Sequence, residues 1–338
     1  MTIDQITDLI SFGEFPEESE IHELIETHIS WVIMCDRFVY KIKKPVKYSF
    51  LDFSTIDLRR FYCYRELELN KRLTKHVYLE VVPIRETNTQ IMIGKGEGKI
   101  IDYALKMHKL ETERRMDKLL VKGVVRGGDI KNLAEVIAEF HKNATVIYQK
   151  DIHDLRQKFN DLFEERDYLA AQIGDSFGHF IEEAVALSDS FLNSNRELIT
   201  FRLRNGMYRD GHGDLHSRNI FLVPQPVPFD CIEFNDDFRQ IDVLNEVAFL
   251  CMDLDAFRFP DLSEQFLKDY LQFFPAMASK KDRQLFVYYK IYRANVRAKV
   301  NSLRAKSATS PEEKNKALAA SEKYLDLMKD YIKTQLII

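Results

Sequence analysis

The sequence predicts an α+β protein of two lobes, a small β-rich N-lobe followed by a large helical C-lobe. Three observations carry this. The chain has 338 residues, close to two domains at roughly 150 residues each. Its apolar residues alternate like strands up to about residue 108 and recur like helices afterwards. Glycine and proline number only 12 and 9, about half the usual share, which argues for long helices and against all-β or collagen-like architectures. An apolar share of 45 % with a charged share of 30 % allows a sizeable core, and 24 Phe with 15 Tyr exclude disorder as the dominant state.

The N-lobe, residues 1–108, is read element by element. Ile29–Val32 and Arg37–Ile42 are β-branched and aromatic, and the turn-forming Cys35-Asp36 between them predicts a hairpin. Thr55 or Asp57 is placed to cap a helix running to about Leu73. Val77–Ile84 and Gly98–Met107 read as two further strands, with Gly94-Lys-Gly-Glu-Gly98 as a hairpin turn.

The C-lobe, residues 109–338, is helical almost throughout. Asp129 is expected to cap a helix carrying Ile130, Leu133, Ile137, Phe140 and His141 on one side, with His141 a packed core histidine. Further helices are expected at about 152–172, 176–195, 240–256, 261–273, 282–306 and 311–334. Their expected openings include Asp151, Ser176, Ser263 and Ser310-Pro311. The exception is 211–234, a polar stretch whose two apolar runs, Ile220–Val223 and Cys231–Phe234, read as short strands.

That stretch contains His212-Gly-Asp-Leu-His-Ser-Arg-Asn219, which has the H-x-D-x-x-x-x-N spacing of kinase catalytic loops. The chemistry explains the spacing. A phosphoryl acceptor needs a carboxylate to orient its hydroxyl and take its proton, and a nearby side-chain oxygen must hold the magnesium that neutralises the phosphates. Asp214 suits the first role and Asn219 the second. His212 suits a backbone bond that holds the loop, while His216 and Arg218 are read either as meeting substrate or the transferred phosphate or as merely packing. Downstream, Phe229-Asp-Cys-Ile-Glu-Phe234 supplies a second acid. Glu233 is the expected metal carboxylate, with Asp230 or Asp236 able to share or take that role.

With these residues the sequence resembles the aminoglycoside phosphotransferase-like branch of the protein-kinase-like fold, a set of small-molecule kinases. The resemblance rests on His212-Gly-Asp-Leu-His-x-x-Asn219, the Ile232-Glu-Phe234 run, and Asp242 followed by Glu246-Val-Ala, where the family reads Asp-x-x-x-Asp-Leu-Ala. Thr27-His-Ile-Ser-Trp-Val32, Val39-Tyr-Lys-Ile-Lys-Lys-Pro-Val46 and Phe50-Leu-Asp-Phe-Ser-Thr55 are similar to a bacterial subgroup of it. The resemblance implies a bilobal fold, ATP and magnesium as cofactors, and a lysine on a strand paired with a glutamate on the next helix. Lys41, ending Phe38-Val-Tyr-Lys41, and Glu66 match these positions, with Lys43 and Glu68 as rivals. Adenine is expected against the backbone of Leu105–Lys109, around Met107. No G-x-G-x-x-G precedes Lys41, which disfavours a protein kinase and fits the small-molecule branch.

A second constellation lies in 280–306, where nine basic residues face Asp282 as the one acid. Lys290, Arg293, Arg297 and Arg304 fall on one helical stripe, read either as a solvated basic face or as an anion-recognition face. In the resembled fold the C-terminal helices line the acceptor side. Arg293 and Arg297 are therefore candidate substrate residues, and an anionic or phosphate-bearing acceptor is expected ahead of a polycationic aminoglycoside.

The expected activity is γ-phosphoryl transfer from ATP to a hydroxyl of a small molecule. A nucleotide-binding pseudokinase or regulator, and a protein or RNA hydroxyl kinase, are the alternatives. The net charge of −4 argues against a nucleic-acid partner for the chain as a whole. Cys35, Cys63, Cys231 and Cys251 are scattered, without C-x-x-C or zinc spacing, and the N-terminus lacks a signal-peptide pattern, so a cytoplasmic location is expected. No run of 18 apolar residues predicts a membrane span.

Overall fold

The computed structural model describes residues 1–20, 22–48 and 50–336. Thr2 opens α1 (Ile3–Phe12) with a capping box, its hydroxyl accepting from the Gln5 N–H while the Gln5 side chain accepts from the Thr2 N–H. The sequence reading missed this helix. β1 (Glu23–Glu26), β2 (Ser30–Met34) and β3 (Phe38–Lys43) follow. β2 and β3 form the predicted hairpin, with Met34 opposite Val39. The short pair β4 (Lys47–Tyr48) and β5 (Leu51–Asp52) leads to α2 (Ile56–Lys71). Thr55 caps α2 by accepting from the Leu58 N–H at 3.2 Å.

β6 (Tyr78–Glu86), β7 (Ile91–Ile93) and β8 (Lys99–His108) complete the main sheet. Among the described residues it is six-stranded and antiparallel, in the order β1-β2-β3-β8-β6-β7. Both β7 and β8 pair with β6. Gly94–Gly98 therefore carries the chain across β6 and does not close the expected hairpin.

Next come α3 (Met116–Val121), α4 (Gly127–Asn143), α5 (Asp154–Asn160), α6 (Arg166–Ile173), α7 (Asp175–Ser194) and α8 (Arg196–Arg204). Asp129 does secure the start of α4, but from inside its first turn, where its carboxylate accepts from the Arg126 N–H at 2.9 Å. The single helix expected at 152–172 is broken by a 3-10 turn over Asp161–Glu165. Then follow β9 (Tyr208–Asp210), β10 (Ile220–Phe221), β11 (Val227–Pro228), α9 (Asp236–Arg239) and β12 (Gln240–Asp242). The partner of β10 is β11, so Cys231–Phe234 is irregular chain and not the predicted strand. Last are α10 (Val243–Ala256), α11 (Pro260–Phe273), α12 (Lys280–Ser307) and α13 (Pro311–Thr334). Pro260 opens α11, placing Ser263 inside it, while Ser279 and Ser310 cap α12 and α13.

Contacts divide the chain into two compact units: unit 1 is Met1–Leu119 with Arg218–Arg239, and unit 2 is Leu120–Ser217 with the chain from Gln240 onward. In unit 1, strand alternation sorts side chains to two faces. Tyr40, Ile42, Ile84 and Ala104 pack with Ile6 and Leu9 of α1. Leu105, on the opposite face from Ala104, joins Val77 and Tyr78, with Leu67, Val81, Met107, Val227 and Phe229 partly buried against them. The same alternation turns Lys41 and Lys43 away from Tyr40 and Ile42. In unit 2, every residue of α10 from Val243 to Leu254 is buried. No helix among the described residues is long and apolar enough to cross a membrane.

Candidate active site

Unit 1 gathers five charges behind β3. Lys41 Nζ donates to Glu66 Oε1 at 2.8 Å and to Asp230 Oδ1 at 2.6 Å. Lys43 Nζ donates to Glu66 Oε2 at 2.8 Å and also to Glu233 Oε1. Glu66 therefore holds both lysines, one on each oxygen. Burial pushes its carboxyl up, but the two ammonium groups more than offset this and hold it at about 2. Glu68, the rival on the same helix, points outward to Arg65.

Asp230 is placed by the β10–β11 hairpin. Ile220 lies opposite Pro228, and the Phe229 N–H donates to the Asn219 carbonyl at 3.0 Å, so Asn219 and Asp230 sit at one end of the hairpin. Asp230 has φ +63°, a left-handed conformation that costs a non-glycine residue ~1–3 kcal/mol. Two consecutive N–H groups fix it there: Asp230 donates to Tyr78 Oη and Cys231 to Asn70 Oδ1, each at 2.9 Å. Neither Tyr78 nor Asn70 was singled out from sequence, because their role depends on partners about 160 residues away. The Asp230 side chain is 42 % exposed, against 4 % for Glu233. Arg218 is half exposed and lies 3.9 Å from Asp117. Met107 is half-buried beside Leu105.

Unit 2 builds the loop that carries Asp214. Glu246 is its main holder: its carboxylate accepts from the His212 N–H, with 2.8 Å to Oε2, and from the Gly213 N–H at 2.8 Å. The same carboxylate meets His141 Nε2 at 2.8 Å, and His141 Nδ1 meets Tyr270 Oη at 2.7 Å. His141 is thus the buried core histidine expected, and Tyr270 and Glu246 are its partners. A Cβ at Gly211 would lie 2.4 Å from Glu246 Oε2, and Gly213 takes φ +86°, so both glycines are required for this close approach. Two turns further along α10, Asp253 Oδ2 accepts from the Ser217 N–H at 2.9 Å and from its hydroxyl at 2.5 Å. Between them Phe249 supports the His216 ring at 5.3 Å. Glu246, Phe249 and Asp253 share one helix face, and that spacing is the signal by which Asp253 was findable.

His212 is fully buried, and its Nδ1 accepts from the Asp214 N–H at 3.2 Å. Its place is beneath the backbone of the loop. The Asp214 side chain is 38 % exposed, and its Oδ2 lies 3.3 Å from His216 Nε2. Partial burial pushes its carboxyl up, but His216, Arg297 and His212 outweigh this and hold it well below the usual carboxylate range.

The basic stripe of α12 is not a solvent-facing surface. The middle of α12 runs through the interior of unit 2, where Lys290, Arg293 and Arg297 are buried, while Lys280, Lys281, Arg283 and Lys306 nearer its ends are exposed. Lys290 pairs with Asp255 at 2.6 Å, Lys299 with Asp161 at 3.0 Å and Lys306 with Glu165 at 2.7 Å. Arg293 donates to Asn245 Oδ1 at 2.7 Å and to the Gly213 carbonyl at 3.2 Å, and lies over the Phe249 ring. It is a prop for the catalytic-type loop. Arg297 is buried over the Tyr324 ring, and its Nε has no hydrogen-bond partner. Replacing Arg293 with alanine leaves the Gly213 carbonyl and Asn245 unpaired, so Arg293→Ala is expected to destabilise the protein by about 2–4 kcal/mol in chemical denaturation. A surface position would change it by roughly 0.5 kcal/mol or less.

No protein-family model matches the sequence. Uncharacterized proteins of Mycobacterium tuberculosis and Mycobacterium bovis are 31 % identical over 286 residues, covering 82 % of this chain and 54 % of theirs. The chain thus spans about half the length of these relatives. The structure is similar to a choline/ethanolamine kinase family protein from Mesorhizobium loti, with a TM-score of 0.53 at 11 % identity over 97 % of this chain and 99 % of that one. An AMP-bound spectinomycin phosphotransferase gives 0.54 at 12 % identity over 98 % of each chain. A variant aminoglycoside 2'-phosphotransferase in complex with GDP gives 0.52 at 12 % identity over 98 % of this chain and 99 % of that one. The chain therefore has the protein-kinase-like fold of the aminoglycoside phosphotransferases and choline/ethanolamine kinases, as the resemblance of its loop implied.

Proposed function

We propose that this protein is an ATP- and magnesium-dependent phosphotransferase acting on a hydroxyl of a small molecule. The observation that carries the reading is Lys41 on β3, held at 2.8 Å by a buried Glu66 on α2, the arrangement that anchors nucleotide phosphates in kinases. Met107 and the neighbouring backbone, with the partly buried Val227 and Phe229, offer the apolar surface an adenine ring needs. AMP and GDP are bound by two proteins of similar fold.

The donor set for a metal is Asn219 and Asp230, an amide oxygen and an accessible carboxylate at one end of a hairpin. Oxygen donors in this small number suit magnesium, which relies on one or two protein ligands together with substrate phosphates. When bound, magnesium neutralises phosphate charge. Asp214 orients the acceptor hydroxyl and receives its proton, His216 steadies Asp214, and His212 holds the backbone. Arg218, half exposed, meets the transferred phosphate.

The acceptor is a small-molecule alcohol. Lys290 is paired with Asp255 and Arg293 is engaged by Asn245 and the Gly213 carbonyl, which weakens the argument for an anionic one. Arg297, whose charge reaches Asp214, keeps a candidate substrate role. Glu233 at the metal position and the missing glycine-rich loop favour a pseudokinase, and the accessible Asp230 answers the first of these only.

The test is Asp230→Asn. Magnesium-dependent ATP turnover is expected to fall by about 100-fold or more, while ATP binding without metal persists. Turnover near the wild-type level would remove Asp230 from the metal site.

A further inference from the structure

Kinase chemistry needs one nucleotide lysine, yet β3 delivers two to the same glutamate. Lys43 is not a spare for the first. It is 1 % exposed, its ammonium lies 4.7 Å from the Phe53 ring centroid, and both of its carboxylate partners are buried. A group so enclosed has no route to a phosphate. Lys41, by contrast, keeps 14 % of its side chain exposed and pairs with the accessible Asp230.

Consider what happens to Glu66 when a polyphosphate draws on Lys41. A buried carboxylate that loses its only cation leaves an uncompensated charge, which is strongly destabilising. Here Lys43 remains on the other oxygen of Glu66, so the glutamate stays neutralised and α2 has no cause to move. Lys43 itself sits between two acids, and Glu233 balances the charge that Glu66 shares with Lys41.

Building on the phosphotransferase reading, we propose that Lys43 and Glu233 are a positioning pair that holds the second oxygen of Glu66, and that Glu233 supports the nucleotide lysine instead of binding magnesium. The residues are contributed by β3, α2 and the irregular chain after β11, all within unit 1.

Three variants test this in the full-length chain. Lys43→Met/Glu233→Met replaces the ion pair with apolar side chains, so no unpaired charge is buried and the protein is expected to melt within a few degrees of wild type. Its Mg-ATP dissociation constant, measured by calorimetry well below the melting temperature, is expected to rise at least 10-fold, because Glu66 has lost its second holder. Binding within 2-fold of wild type would overturn the proposal. Glu233→Gln keeps an acceptor for Lys43, and the magnesium concentration needed for half-maximal ATP binding is expected to stay within 3-fold of wild type. A 10-fold rise would make Glu233 a ligand and overturn the proposal. Lys43→Met alone strands Glu233, and is expected to melt lower than the double variant. If it melts higher or equally, the pair is not coupled. That comparison needs no nucleotide, so it separates failure of the pair from failure of the phosphotransferase reading, which a wild-type protein without Mg-ATP affinity would signal.

Discussion

Asp214→Asn is expected to lower phosphoryl transfer by about 100- to 10,000-fold, the range lost with a general base, while the Mg-ATP dissociation constant stays within a factor of three. Single-turnover transfer and calorimetric binding on the same preparation check both halves. The physical ground is the state of the carboxylate. Asp214 is 38 % exposed with His216 Nε2 at 3.3 Å, and the surrounding His216, Arg297 and His212 overcome burial to keep it ionised. A carboxylate held this low is a weak base in isolation. That suits phosphoryl transfer, whose loose transition state asks for an oriented hydroxyl and a late proton acceptor more than for prior deprotonation. Asparagine keeps the hydrogen bond and loses the proton sink, so loss of transfer with retained binding isolates that role.

Glu246→Ala is expected to remove about 3–5 kcal/mol of folding stability, the scale of breaking a buried charged pair, as read by urea denaturation at neutral pH. The substitution orphans the N–H groups of His212 and Gly213 and strips buried His141 of its carboxylate. The pH dependence carries a definite sign. Burial alone would raise the Glu246 carboxyl, but the hydrogen bond and charge of His141, with His212 and the Gly213 N–H, bring it from 4.5 to about 2. A carboxylate depressed in the folded state contributes stability that is present above its unfolded value and is lost as pH falls through the folded one. Wild type should therefore lose stability between about pH 4.5 and pH 2, and Glu246→Gln should show a shallower loss over that window. Equal slopes would mean that Glu246 is not held ionised by these partners.

How much of this was legible beforehand depended on whether the signal was local. The β2–β3 hairpin, α2 with its Thr55 cap, and α13 with Ser310 were read because turn chemistry, capping and periodicity lie within a few residues of one another. The His212–Asn219 spacing likewise exposed the catalytic-type loop. Cys231–Phe234 was expected as a strand, but the chain after β11 is irregular and buries the Glu233 side chain against Lys43. Lys41 and Lys43 were indistinguishable by alternation because both occupy the same face of β3; only burial separates them. The α12 stripe misled for a related reason. Its basic spacing is real, yet the partners of Lys290 and Arg293, Asp255, Asn245 and the Gly213 carbonyl, come from distant segments, and composition within 280–306 has no view of them.

Transfer of a phosphoryl group to an alcohol is directly measurable. The most direct measurement incubates wild-type protein with γ-labelled ATP, magnesium and a deproteinised metabolite extract, beside Asp214→Asn as control. Label is expected in an acid-stable phosphomonoester that forms only with magnesium and is absent with the variant. Magnesium-dependent ATP binding with all label remaining in ATP, or equal labelling by wild type and Asp214→Asn, would contradict it.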